Sequence, residues 1–149
     1  MITLNKITEE NIRGCLKLDA GDDKSDFVAN SFAIAWLNCD MSIPLIINKD
    51  NEHVGFILLI MENNRDNSRE CYISRFMIDK NHQRKGYAKA ALHAVFDYIK
   101  RNLDCEIVRI SFAPKNVIAK KLYEGLGFIN AGIMNNGEII MTLQTRINY

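Results

Sequence analysis

The sequence predicts a mixed α+β fold, a mainly antiparallel sheet with helices on its faces. Three observations carry that expectation. Polar, turn-forming groups at Lys49-Asp50-Asn51-Glu52 and Asn135-Asn136-Gly137 each join two apolar runs, the pattern of antiparallel hairpins. Ala88, Ala91, Leu92, Val95, Phe96 and Ile99 recur at helical spacing and define one face of a long helix. That helix separates strands that begin near Cys71 and Glu106, so the two run parallel through a crossover.

The elements follow in order along the chain. Residues 2–6 read as a short strand. Thr8 is placed to cap a helix running to about Leu18, with Ile12, Cys15, Leu16 and Leu18 on its apolar side. Asp19 to Asp26 form an acidic loop, after which Ser25 or Asp26 caps a second helix carrying Val28, Phe32, Ala35 and Trp36. Residues 43–48 and 53–61 read as a hairpin, and the polar stretch from Glu62 to Glu70 as a mobile loop. A strand at 71–79 leads into the long helix, and a further strand at 106–112 ends at Pro114. A helix from Asn116 to Leu126 stops at Gly127, a residue suited to the left-handed C-terminal position. Strands at 128–133 and 138–143 close the chain, and no repeat or linker divides residues 1–149, which read as one domain.

Composition narrows the function classes. The 149 residues are 48% hydrophobic and 25% charged with a net charge of +1, which lacks the basic excess of a nucleic-acid footprint. The N-terminus shows no basic-then-apolar signal layout and no apolar run reaches membrane-spanning length, so a cytoplasmic protein without membrane association is expected. Cys15, Cys39, Cys71 and Cys105 are widely separated within apolar-periodic segments, as small buried hydrophobes are. With His53, His82 and His93 scattered, no metal site is expected.

The chemistry concentrates between Cys71 and Ala91. An apolar strand runs into His82-Gln83-Arg84-Lys85-Gly86-Tyr87-Ala88, which opens directly into the long helix. Successive N–H groups at such a turn, followed by a helix N-terminus, form a concave cage suited to phosphate oxygens. Gly86 and Ala88 leave room for a diphosphate to approach the main chain, and Arg84, Lys85 and Lys89 add charge. Neither the P-loop pattern nor the dinucleotide fingerprint is present. On spacing alone, an ordinary strand-to-helix turn with solvated basic residues stands as the alternative.

Two motifs resemble those of the GNAT family of N-acetyltransferases. Its signature, Q/R-x-x-G-x-G/A after a strand, stands here as Gln83-Arg84-Lys85-Gly86-Tyr87-Ala88. Its later motif stands as Asn116, Ala119, Tyr123 and the terminal Gly127-Phe128, and the element order is similar over essentially the whole chain. The resemblance implies the GNAT-type fold with a splayed parallel strand pair, and acetyl-coenzyme A as cofactor. It implies that main-chain groups of Phe76, Met77 and Ile78 hold the pantetheine arm and thioester carbonyl. The backbone from Arg84 to Lys89 would wrap the pyrophosphate, and Asn116 would contact the arm beside Ala119. Ala88 stands where many members carry Gly.

Acetyl transfer requires a neutral amine, a polarised carbonyl and a proton for the departing thiolate. An alkylamine has a pKa of about 10.4, so a base must act at neutral pH. The Ile78 N–H is the expected oxyanion donor and Tyr123 the expected general acid. By spacing alone Tyr123 is equally a core aromatic beside Ala119, Leu122 and Leu126. Within the family, the run from Tyr72 to Asp79 and the segment from Ser111 to Asn116 resemble spermidine/spermine acetyltransferases, which commonly carry a carboxylate where this chain has Ser74. Ser74 cannot by itself deprotonate an ammonium group. A water chain helped by Ser74 or Tyr72, or a carboxylate such as Glu70, Asp19, Asp22, Asp23 or Asp26, would have to serve. The aspartates, unless simply a solvated turn, also favour a cationic polyamine or diamine acceptor. A protein N-terminus or an antibiotic amine remains an alternative acceptor, and an acyl-coenzyme A sensor an alternative class. A homodimer through the apolar Ile139-Ile140-Met141 run is expected unless that run is a buried central strand.

Overall fold

The computed structural model describes residues 1–19, 21, 42–63 and 69–145. In chain order these form β1 (Ile2–Lys6), α1 (Ile12–Leu16), β2 (Ser42–Lys49), β3 (Glu52–Asn63) and β4 (Arg69–Ile78). A 3₁₀ turn (Lys80–His82) precedes α2 (Tyr87–Asn102), β5 (Ile107–Phe112), α3 (Val117–Gly125), β6 (Ile129–Ile133) and β7 (Ile139–Gln144). The seven strands make one sheet in the order β1-β2-β3-β4-β5-β7-β6. Among the described residues only β4 and β5 pair in parallel, joined by α2 as the crossover.

The helical stripe becomes the main core. Ala91, Leu92, Val95, Phe96 and Ile99 of α2 are buried against Leu45, Ile47, Ile57, Leu59, Cys71, Ile73, Val108 and Ile110 of the sheet. A smaller cluster on the other face gathers Cys15, Ile46, Phe56, Leu58 and Met77. β3 contributes to both, which is why its middle reads as an unbroken apolar run rather than an alternating one. Cys15, Cys71 and Cys105 are buried as expected, while Cys39 lies outside the described residues.

Two expectations require correction, and one reading left open is decided. The first helix begins after Asn11, not at Thr8, because the Asn11 carboxamide accepts from the Thr8 N–H at 2.7 Å and donates to the Lys6 carbonyl at 2.9 Å. That local turn competes with helical pairing and shortens α1 to five residues. The polar stretch after Met61 is not all loop: Glu62 pairs with Glu70 and Asn63 with Arg69, extending β3 and β4. Arg109 offsets the two carboxylates by ion-pairing with both Glu62 and Glu70. Finally, Ile139-Ile140-Met141 belongs to β7, which is enclosed between β5 and β6, so the run is an interior strand and not a free edge. The second predicted helix and the acidic residues Asp22, Asp23 and Asp26 lie outside the described residues.

Candidate active site

The parallel pair separates partway along its length. β4 and β5 pair only from Glu70 to Ile73 and from Ile107 to Ile110, although β4 continues to Ile78 and β5 to Phe112. A bulge coincides with the parting: Leu58 faces Arg75 and Leu59 faces Ile73, which leaves Ser74 as the extra residue of β4. A bulge bends its strand and increases its twist, which carries the end of β4 away from β5. The Asp79 N–H bonds to the Val54 carbonyl on β3 at 2.8 Å. By strand alternation, the N–H groups of Phe76 and Ile78 point the other way, toward the side β5 has vacated. The Gln83 carboxamide donates to the Ile78 carbonyl at 2.9 Å and so clips the following turn to the strand end.

That turn has an unusual backbone. Arg84 (φ 62°) and Gly86 (φ 80°) both lie in the left-handed region, an arrangement that curls successive N–H groups toward one point. A Cβ at Gly86 would meet no atom within 4 Å, so the glycine answers to its dihedral angle and not to crowding. Gly86 is also the N-cap of α2, and no side chain caps this helix or places an acid in its first turn. A helix of 16 residues therefore presents its first N–H groups, at the positive end of its dipole, without the usual compensation. Arg84, Lys85 and Lys89 form no ion pair among the described residues.

The turn opens into a cleft of about 500 Å³. Phe76, Met77 and Ile78 line one wall, Gln83, Arg84, Gly86, Tyr87, Ala88 and Lys89 the second, and Asn116, Ala119 and Tyr123 of the α3 region the third. Lys85 is exposed and does not line it. His82, Ile118 and Leu122 also line it and were not singled out from the sequence. Leu122 was visible only as part of a core stripe, His82 as an isolated histidine, and Ile118, 83% exposed, lies off that stripe.

Tyr123 resolves its two readings by satisfying both. Its ring is 7% exposed and packs on Phe112 and Phe128 at centroid distances of 5.7 and 5.9 Å. Its hydroxyl has no hydrogen-bond partner among the described residues, yet no buried polar atom is left unsatisfied, so the hydroxyl opens to the cleft. Burial pushes the phenol up to about 12. Asn116, which lines the cleft, uses its side-chain oxygen to cap α3, accepting from the Ala119 N–H at 3.1 Å, and its amide nitrogen is not used in that cap.

Ser74, Tyr72 and Glu70 do not line this cleft. Cys71, Ile73, Val108 and Ile110 point into the α2 core, so the alternating Glu70, Tyr72, Arg109 and Ser111 occupy the opposite face of the sheet. There Glu70 is held 3.7 Å from Arg109, whose guanidinium also stacks 5.0 Å over the Tyr72 ring.

Behind the turn, Asp79 is a buried anchor. Its carboxylate accepts from the Asp19 N–H at 2.9 Å and the Asn81 N–H at 3.1 Å. The Lys80 N–H returns to the Asp19 carbonyl at 2.7 Å, and the Lys80 ammonium sits 3.0 Å from the Asp19 carboxylate. The Gly21 N–H and then Lys80 hold the Asp19 carboxyl below its ordinary range. Among the described residues no cluster of metal-ligating side chains occurs, and no helix is long and apolar enough to cross a membrane.

Comparison with known proteins bears directly on this geometry. The model of the Acetyltransferase (GNAT) family matches residues 10–128. The sequence is 25% identical over 146 residues to the spermine/spermidine N(1)-acetyltransferase of Bacillus subtilis (strain 168), covering 94% of this chain and 96% of that relative. The fold is similar to that of the spermidine N-acetyltransferase from Vibrio cholerae solved with CoA and spermine, with a TM-score of 0.73 at 19% identity over 97% of this chain and 95% of the other. It is also similar to the ribosomal-protein-S18-alanine N-acetyltransferase from Escherichia coli, with a TM-score of 0.69 at 19% identity over 100% and 97% of the two chains. With a family model spanning most of its length, a parted parallel strand pair and an uncapped helix behind a glycine turn, the chain belongs to the acetyltransferase (GNAT) family of acetyl-coenzyme A-dependent N-acetyltransferases.

Proposed function

We propose that this chain transfers the acetyl group of acetyl-coenzyme A directly to a primary amine of a small polyamine or diamine, with Tyr123 as the proton donor to the departing thiolate. The observation that carries the reading is the sharing of one cleft by an uncapped helix N-terminus and an unpartnered tyrosine hydroxyl. The first fits a diphosphate, whose oxygens would satisfy N–H groups that no described side chain reaches. The second fits a leaving group that needs a proton.

When bound, acetyl-coenzyme A supplies an acyl group already activated as a thioester. The chain's own residues do the rest. Amides between Arg84 and Lys89 would grip the diphosphate, with Arg84, Lys85 and Lys89, unpaired among the described residues, adding positive charge. Phe76, Met77 and Ile78 would present main chain to the arm, and the Ile78 N–H would donate to the carbonyl oxygen where negative charge develops. Ala119 leaves space beside the arm and the Asn116 amide nitrogen donates to it. Tyr123, raised to about 12, stays protonated at neutral pH and gives its proton to the sulfur.

The polyamine acceptor is supported by charge on the opposite face of the sheet. Glu62 and Glu70 share the Arg109 guanidinium, and Glu138 is held on the same face by the Ser111 hydroxyl, three carboxylates against one guanidinium. Such a surface attracts a polycation and repels an anionic substrate. The activity named for the B. subtilis relative points the same way. An initial-rate screen under saturating acetyl-coenzyme A, with putrescine, spermidine, spermine, a peptide N-terminus and an aminoglycoside, tests the proposal. Turnover of the peptide or the aminoglycoside without any polyamine would replace the acceptor. Coenzyme binding without turnover of any amine would return the chain to the role of an acyl-coenzyme A sensor.

A further inference from the structure

The reaction requires a base, and among the described residues no carboxylate lines the cleft beside Tyr123. On the opposite face of the sheet the described residues contain a hydroxyl path that ends on a carboxylate. The Ser111 hydroxyl donates to a Glu138 carboxylate oxygen at 2.9 Å. Its only hydrogen is thereby committed, so the 2.7 Å contact between Ser111 and Tyr72 is made by the Tyr72 hydroxyl donating. Tyr72 keeps an oxygen lone pair free to accept a proton. The series is therefore polarised in one direction, from Tyr72 through Ser111 to Glu138.

Its position matters as much as its polarity. The last parallel pair joins Ile73 to Ile110; Tyr72 immediately precedes that pair on β4, and Ser111 immediately follows it on β5. The series thus lies at the root of the strand parting, on the face opposite α2 and α3. Glu138 is fixed by backbone bonds of its own turn: its N–H donates to the Asn136 side chain at 3.0 Å and its carbonyl accepts from the Met134 N–H at 2.8 Å. The charged or titratable groups facing the series are Arg109 on β5, Glu70 and Tyr72 on β4 and Glu62 on β3. Arg109 is already committed to Glu62 and Glu70, which leaves Glu138 as the carboxylate not neutralised by it.

We infer that Glu138 is the terminal proton acceptor of the reaction, reached from the acceptor ammonium through the hydroxyls of Tyr72 and Ser111. The inference rests on the reading of the chain as an amine acetyltransferase but not on which amine it takes. The ammonium N–H breaks as the Tyr72 oxygen gains that proton. Tyr72 passes its own proton to Ser111, Ser111 passes its proton to Glu138, and the carboxylate becomes a carboxylic acid. The nitrogen keeps the freed electron pair for attack on the acetyl carbon. Tyr72 is the catalytic residue that touches substrate, whereas Ser111 and Glu138 act through it.

The test is Glu138→Gln, which keeps an oxygen for Ser111 and removes the basicity. Turnover at pH 7 is expected to fall about 100-fold, the usual scale for a lost general base. The dissociation constant of coenzyme A, read by titration calorimetry, should stay within about twofold of wild type. The logarithm of kcat should then climb with pH between about 7 and 9 with a slope near one, as solvent must deprotonate the amine, where wild type is flat. Ser111→Ala should reproduce that profile and Ser111→Thr should restore the flat one; Tyr72→Phe gives the same reading if the Glu138 variant does not fold. A Glu138→Gln enzyme within threefold of wild type at pH 7 with an unchanged profile overturns the relay alone. Wild-type enzyme that acetylates no amine in the screen overturns the relay together with the function it rests on.

Discussion

Replacing Tyr123 by Phe separates the two roles that this side chain combines. The phenyl ring retains the contacts with Phe112 and Phe128, and the lost hydroxyl has no partner in the described chain to leave unsatisfied. The folded state should therefore change by no more than about 0.5 kcal/mol below pH 9. The loss of a general acid, by contrast, costs about 100- to 10,000-fold in rate, equivalent to roughly 3–5 kcal/mol of transition-state stabilisation. Steady-state kinetics with a polyamine gives kcat, and calorimetry gives coenzyme A affinity, expected within about twofold of wild type. The pH dependence adds an independent check. The folded phenol holds its proton to about pH 12, whereas an exposed tyrosine in the unfolded chain loses it near 10. The native state therefore binds more protons across that window, so stability is intact below pH 10 and declines as pH rises toward 12. Tyr123→Phe should flatten that decline while removing activity at pH 7. A variant with wild-type turnover would refute the assignment of Tyr123 as proton donor.

Other substitutions probe the supporting geometry. Gly86→Ala forces an L side chain into φ 80° at a cost of about 1–2 kcal/mol, and should weaken coenzyme A binding in calorimetry because the strained turn relaxes away from its curled amides. Asn116→Ala removes the cap of α3 and should lower stability in urea by about 1 kcal/mol. Asp79→Ala strips acceptors from the part-buried Asp19 and Asn81 N–H groups, and urea unfolding should report a loss of about 1–3 kcal/mol in all. Ile99→Ala, fully buried beneath the sheet, should cost about 2–5 kcal/mol in the same assay without altering coenzyme affinity.

The elements with strong periodicity were legible from sequence. The α2 stripe, the Asp50-Asn51 hairpin and the C-terminal residue Gly127 (φ 99°) all follow from local spacing and turn chemistry. So did the antiparallel sheet with its one parallel pair, because a helical crossover leaves little choice of strand direction. Hydrogen-bond competition at Asn11 was not legible, since both a cap and a turn use the same residue type. Nor was the extension of the polar strand ends at Glu62 and Glu70, whose charges are tolerated only because Arg109, forty residues or so along the chain, folds back between them. The cleft walls were largely readable because their glycine, small and basic residues are adjacent in sequence. Glu138 was not, because its significance depends on Ser111 and Tyr72 arriving from two other strands.

Asp79 carries a consequence for how two distant stretches of the chain hold each other. One carboxylate fastens both the chain just after α1 and the turn that leads from β4 toward α2. Neither stretch shifts without pulling on the same fixed point, so loosening at one is felt at the other. Coupling of that kind is reciprocal by thermodynamic necessity. Asp79 is the joint between them.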